Sequence, residues 1–151
     1  PVRVAAPEEL IWHRLFVSER HRSDMADIVH LILCRGDEVD WERLLDRVGE
    51  HWRLLLAQLH LFDYVYPGHR SRIPGWVREE LYERAYEEID AAGDPSVCRG
   101  TLLSRFSFAI DVNEWGFRDP RKQAVTSTRA LPVIRAIRDA EVWDQPTERG
   151  G

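Results

Sequence analysis

Apolar positions recur along most of this chain with a helical period. After Pro7, the residues Leu10, Ile11, Leu15 and Phe16 mark a buried side and Glu9, His13, Glu19 and Arg20 a wetter one. The pattern predicts a first helix from Pro7 to about His21, with proline and the Glu8-Glu9 carboxylates in its first turn, where they suit the helix dipole. Met25, Ile28, Val29 and Ile32 then follow the i, i+3, i+4, i+7 template between a capping Ser23 and a terminating Gly36. A third helix is predicted from Asp40 to Val48. A fourth, from Glu50 to Tyr66, carries Leu54, Leu55, Leu56, Leu59, Leu61, Phe62 and Val65. That is too many apolar positions for a surface helix, and it marks the central element of the core. Pro67-Gly68 stops it, and Ile73-Pro74-Gly75 leads into a fifth helix. There Val77, Leu81, Tyr82, Ala85, Tyr86 and Ile89 are expected to face inward, with Glu79, Glu80, Glu83, Glu87 and Glu88 in water.

Beyond this run the periodicity weakens. Ala92-Gly93-Asp94-Pro95-Ser96 reads as a linker. Phe106, Phe108, Ile110 and Val112 alternate as in a half-buried strand, although Leu102, Phe106 and Ile110 also fit a helix. Val2 to Ala5 is a second short strand candidate. Asp119-Pro120 opens a further helix to about Ala130, and Val133, Ile134, Ile137 and Val142 mark a last helical piece. The fold expected is a mainly α, compact helical domain with one or two short strands. Residues 1–92 form its helical core, 93–100 a linker, 101–144 an extension packing on that core, and 145–151 a disordered tail.

At 151 residues the chain has room for one substantial core, and its 44% hydrophobic and 31% charged residues are those of a globular protein. No apolar run approaches the ~20 residues of a transmembrane span, so no membrane is expected as a partner. The net charge of −5 argues against a protein that coats nucleic acid nonspecifically. Of the 21 basic residues only Lys122 is lysine, so the positive charge is almost entirely guanidinium, suited to bidentate contacts with carboxylate or phosphate. Cys34 and Cys98 are too few for a disulfide framework, and the opening residues show no secretory leader; a cytoplasmic protein is expected.

The stretch Ala6-Pro7-Glu8-Glu9-Leu10-Ile11-Trp12-His13-Arg14-Leu15, followed by Arg20-His21-Arg22-Ser23-Asp24-Met25-Ala26-Asp27-Ile28, has a definite order. A strand leads to a proline-started helix bearing a basic residue, then to an Arg-rich turn and an Asp-x-x-Asp at the next helix. This order resembles the second half of nucleotidyltransferase-fold proteins of the bacterial abortive-infection and toxin–antitoxin type. Asp40-Trp41-Glu42-Arg43-Leu44-Leu45, Tyr64-Val65-Tyr66-Pro67-Gly68-His69-Arg70 and Asp111-Val112-Asn113-Glu114-Trp115-Gly116 extend the resemblance over most of the chain.

The resemblance implies that the domain is the C-terminal half of an α+β nucleotidyltransferase fold, with Val2–Ala5 as the last strand of a sheet lying upstream. It implies that Arg14 stands where the family holds nucleotide phosphates with a lysine, that Arg20 and Arg22 join it, and that Asp24 or Asp27 is the late catalytic acid. Arginine in place of lysine keeps the charge and changes reach and donor geometry. The family's early Gly-Ser or Gly-Gly followed by Asp-x-Asp, whose carboxylates hold the divalent metal, is missing: no Asp-x-Asp occurs here. The chain alone is therefore expected not to complete nucleotidyl transfer, and Mg²⁺ is expected only with the missing catalytic half. The partners implied are a nucleotide, an RNA or protein acceptor, and that N-terminal half or an antitoxin.

Other constellations are sparser. His69, Arg70 and Arg72, just after Tyr64 and Tyr66, make a candidate surface for a nucleotide or single-stranded nucleic acid. Asp24, Asp27 and His30 share an i+3 spacing, yet no His-x-x-x-His or His-Glu-x-x-His motif supports a metal site, and none is expected in this chain. No Gly-x-Ser-x-Gly elbow or P-loop occurs. Trp115 is a candidate interface anchor, as is Trp143. The competing expectation is a self-contained helical protein-binding module, or a toxin–antitoxin component, without catalysis.

Overall fold

A computed structural model of the chain describes residues 5–19 and 21–122. Most of the strand expected at Val2–Ala5, Arg20, and everything expected beyond residue 122 lie outside the described residues. Helices α1 (Pro7–Arg14), α2 (Met25–Arg35), α3 (Trp41–Val48), α4 (Trp52–Val65), α5 (Gly75–Glu87) and the short α6 (Ala109–Asn113) carry the architecture. A hairpin of two-residue strands, β1 (Ser18–Glu19) and β2 (Arg22–Ser23), pairs antiparallel between α1 and α2. The described domain is thus mainly helical, as the periodicity predicts, with one minimal sheet.

The core gathers around α4. Trp52, Leu55, Leu59 and Phe62 are buried, and α2, α3 and α5 pack on it through Ile28, Ile32, Leu44, Leu45, Val77 and Leu81. Helix α1 lies across α2 and α3 and buries Ile11 and Leu15. Glu9 fastens it to α3, accepting from Arg43 and Arg47 at 2.6 Å each. Trp12 adds an indole N–H bond to the Arg47 carbonyl at 3.0 Å. Asp40 caps α3, its carboxylate accepting from the Arg43 amide at 3.0 Å, which satisfies a donor the helix leaves open.

Several expectations are corrected. Helix α1 stops at Arg14 instead of reaching His21, because the Val17 amide turns back to the Arg14 carbonyl and the Ser18 amide bonds Leu103. The backbone donors that would extend the helix go instead to a turn and a distant loop. Ser23 pairs in β2, so Asp24 takes the N-cap position of α2, with no side-chain capping bond. The alternation over 105–112 does not give a strand. A single strand has no independent stability, and the segment forms turns and then α6, as its helical spacing allows. Tyr82, Tyr86 and Ile89 point into water, since Arg78 on the same helix is fixed to Asp63 (2.7 Å) and to the Ile73 carbonyl (2.8 Å). That anchor and buried Val77 and Leu81 set the rotation of α5.

After α5 the chain returns along the molecule. Asp94 accepts from the Ser96 amide and pairs with Arg118, and Val97 forms a parallel bridge with Arg118. Ser104, fully buried, donates to Glu19, which ties residues 99–108 to the hairpin. Asp119 is buried and accepts from the Thr101 hydroxyl at 2.9 Å and from Arg121. Gly36, at the end of α2, has an ordinary φ of −55°, so conformational freedom is not its role. A Cβ there would stand 2.6 Å from the Arg72 carbonyl oxygen and 3.2 Å from the Arg72 Cβ. Only glycine lets α2 and the 3₁₀ turn Pro67–Arg72 approach this closely.

Two outcomes are expected. Gly36→Ala destabilises the fold by about 1–3 kcal/mol through overpacking, whereas Gly75→Ala, with open space around it, gains up to about 1 kcal/mol from a stiffer unfolded chain; urea unfolding measures both. Arg121, with lesser help from its own amide and Thr101, holds Asp119 down from 3.8 to about 2 against the opposing effect of burial. A carboxyl depressed in the folded state contributes stability that is complete above its unfolded pKa and lost as pH falls through the folded one. The contribution of Asp119 should therefore fade between about pH 4 and 2, and Asp119→Asn should remove that component from the acid unfolding curve.

Candidate functional site

Two short pieces of backbone bring the sequence-selected residues together. Arg14 is the last residue of α1, and the hairpin returns the chain so that Asp24 and Asp27 at the start of α2 face it. One guanidinium nitrogen of Arg14, Nη1, donates to Asp24 Oδ2 at 3.1 Å and also to Asp27. From β2, Arg22 reaches the same Asp24 with two donors, Nε to Oδ1 at 3.0 Å and Nη2 to Oδ2 at 3.2 Å. Both oxygens of Asp24 are engaged, which explains why a buried N-terminal carboxylate does not cap its own helix.

The two carboxylates differ in environment. Asp24 is buried, and the Arg22 guanidinium, followed by Arg14, holds its carboxyl below the usual carboxylate range despite partial desolvation. Its negative charge therefore persists under acidic conditions that would neutralise a free aspartate. The Asp27 side chain is 57% exposed and contacts only the outer edge of the cluster. Two guanidinium groups and two carboxylates bring the constellation to electrical balance. An incoming anion reaches Arg14 by replacing Asp27, while Asp24 keeps its bond to the same guanidinium nitrogen; exposed pairs such as Arg14–Asp27 hold each other by only about 0–1 kcal/mol.

Beside the cluster lies an open cavity of about 310 Å³, lined by Leu10, Arg14, Asp27, His30, Leu31 and Cys34. Asp27, His30 or Leu31, and Cys34 follow one face of α2 at helical spacing. His30 and Cys34 were visible in the sequence as separate residues, and only the packing of α1 on that face makes them walls of one cavity. Among the described residues no three His, Cys, Asp or Glu side chains come together as a metal site, so the i+3 series of Asp24, Asp27 and His30 does not converge.

A second open cavity, of about 580 Å³, is lined by Arg22 together with Glu19, His21, Phe106 and Ser107. His69, Arg70 and Arg72 lie apart from both cavities, in the turn between α4 and α5. The charges of the two arginines are engaged: Arg72 pairs with Asp37, and Arg70 lies 3.4 Å from Asp63, which also accepts from Arg78. His69 meets the Tyr66 ring edge-on at 6.2 Å, while Tyr64 is exposed. Trp115 is also exposed. Among the described residues no helix is long and apolar enough to cross a membrane.

If Asp24 organises the cluster and Asp27 only trims it, Asp24→Ala lowers the urea midpoint clearly and Asp27→Ala leaves it within error. The difference between wild type and Asp24→Ala should shrink as pH falls below the ordinary aspartate range, because protonation removes the same charge in wild type. Equal losses for the two variants would refute the division of labour.

Comparison with protein-family models, with curated proteins and with solved structures gave no match, so the chemistry of the site is read from its own geometry.

Proposed function

We propose that this chain is the helical portion of a nucleotidyltransferase-like protein that presents guanidinium groups to the phosphates of a nucleotide and is not catalytically complete by itself. The observation that carries this reading is the convergence of Arg14, Arg22, Asp24 and Asp27 from three elements, with Arg14 and Asp27 lining an open cavity. Guanidinium is suited to phosphate because its planar, fixed donors match two oxygens at once. Asp24, tied by Arg22, keeps Arg14 at the cavity edge, and Asp27 is the anion a phosphate oxygen displaces. Burial and bidentate pairing suit Asp24 to positioning, whereas exposure suits Asp27 to contact with substrate.

The metal-binding half would supply the carboxylates that hold Mg²⁺, and the acceptor would be an RNA end or a protein hydroxyl. A reducing cytoplasm suits the two cysteines, both of which are free thiols.

The test is the thermal stability of the purified chain with each of the four ribonucleoside triphosphates and Mg²⁺. A ligand at a hundred times its Kd adds about 2.7 kcal/mol to the folded state. At least one nucleotide should raise the melting temperature of wild type, and Arg14→Ala should abolish the rise while Arg70→Ala preserves it. Absence of a shift with every nucleotide, in a protein that melts cooperatively, overturns the proposal.

A further inference from the structure

We infer that the outward face of α5 is a docking surface for a basic amphipathic helix of a partner protein. The face is apolar where a solitary surface helix has no need to be. With Val77 and Leu81 buried and Arg78 anchored, the helix rotation leaves Tyr82 44% exposed, Tyr86 77% and, just past the helix end, Ile89 71%. Tyr82 and Tyr86, four residues apart, share one face of the helix, and Ile89 follows in the turn that its amide closes on the Tyr86 carbonyl. The patch extends onto α4, where the His60 ring lies 5.6 Å from that of Tyr82. Tyr64, one turn further along α4, is 84% exposed. Exposed tyrosines grouped in this way supply large contact area at small cost in side-chain freedom, and they are typical anchors of protein interfaces.

Charge selects the occupant. Glu80 is matched by Arg84, and Glu88 by Arg53. Glu79, Glu83, Glu87 and Asp90 form no ion pair among the described residues, although arginine meets carboxylate over much of the remaining surface. Glu79, Glu83 and Glu87 stand four residues apart in sequence, an arrangement in which like charges repel and weaken the helix. A partner bearing Lys or Arg beside its apolar stripe relieves that repulsion while covering the tyrosines. The same carboxylates repel nucleic acid and anionic lipid. They also disfavour a second copy of this chain, because a two-fold contact would set the four carboxylates of one protomer against the same four of the other.

The experiment titrates the full chain into a fluorescein-labelled helical peptide, about 18 residues long so that it can form a helix. The peptide carries leucines at i, i+3, i+4 and i+7 flanked by arginines, and a matched peptide has every arginine replaced by glutamate. Anisotropy should report binding of the basic peptide alone. The double variant Tyr82→Ser/Tyr86→Ser should weaken it by roughly tenfold or more, as loss of interface anchors does. Glu83→Lys/Glu87→Lys should weaken it likewise, and raising salt should reduce wild-type binding by screening. Circular dichroism checks that both variants keep the fold, as expected for exposed positions. Three results would overturn the inference: no binding of the basic peptide, equal binding of the acidic peptide, or a wild-type dimer in sedimentation that Tyr86→Ser dissociates.

Discussion

The structure depends on the need to enclose α4. Its fourteen residues put Trp52, Leu55, Leu59 and Phe62 fully inside and leave Leu54, Leu56 and Leu61 half-buried on its flanks. Each such side chain removed from water contributes about 1.5–3 kcal/mol, a gain available only if other helices cover the cylinder from several directions. Helices α2, α3 and α5 do so. The candidate site is a consequence of it: α2 must lie along α4, so its N-terminus, with Asp24 and Asp27, emerges at the edge of the core. There α1, itself held down by Ile11 and the Glu9 pairs with α3, delivers Arg14.

Much of this was legible in the order of residues because helices announce themselves by period. Helices α2 to α5 each carry an apolar stripe several turns long, and punctuation at Asp40, Pro67-Gly68 and Pro74-Gly75 fixes their ends. The hairpin was not legible, since strands of two residues are too short to show alternation. Its existence rests on contacts with residues 103–104, far away in sequence. The orientation of α5 escaped for a different reason. Tyrosine and isoleucine carry the same hydrophobic signal whether they face core or water, and the deciding contact, Arg78 with Asp63, joins two charged residues that periodicity ignores. At the site, spacing and resemblance singled out Arg14, Arg22, Asp24 and Asp27, while the participation of His30 and Cys34 required knowing which helix face α1 leaves open.

The two surfaces of interest differ in how completely their charges are matched. Around Asp24 positive and negative groups alternate so closely that the carboxyl is held ionised. Along α5 and just past its end, Glu79, Glu83, Glu87 and Asp90 form no ion pair among the described residues. The first arrangement organises side chains with short, directed bonds, which salt screens less at buried Asp24 than at an exposed pair. The second acts at longer range and is screened within about 8 Å at physiological salt. One small domain therefore holds a locally neutral, geometrically fixed cluster and a diffuse negative face.

In the ion pairs that join α1 to α3, the hairpin to α2, and α5 to α4, the cation is arginine every time. Lys122 is the single lysine of the chain and takes no part in them. Acylation of side-chain amines, by a cellular acetyl donor or by a laboratory ester, has one lysine to find and leaves every one of those pairs intact. Guanidinium also stays protonated well past the alkalinity at which an ammonium group would lose its charge. The tertiary ion pairs are thus indifferent to the commonest covalent modification of basic side chains and to mild alkali, whereas protonation of their acidic partners breaks them.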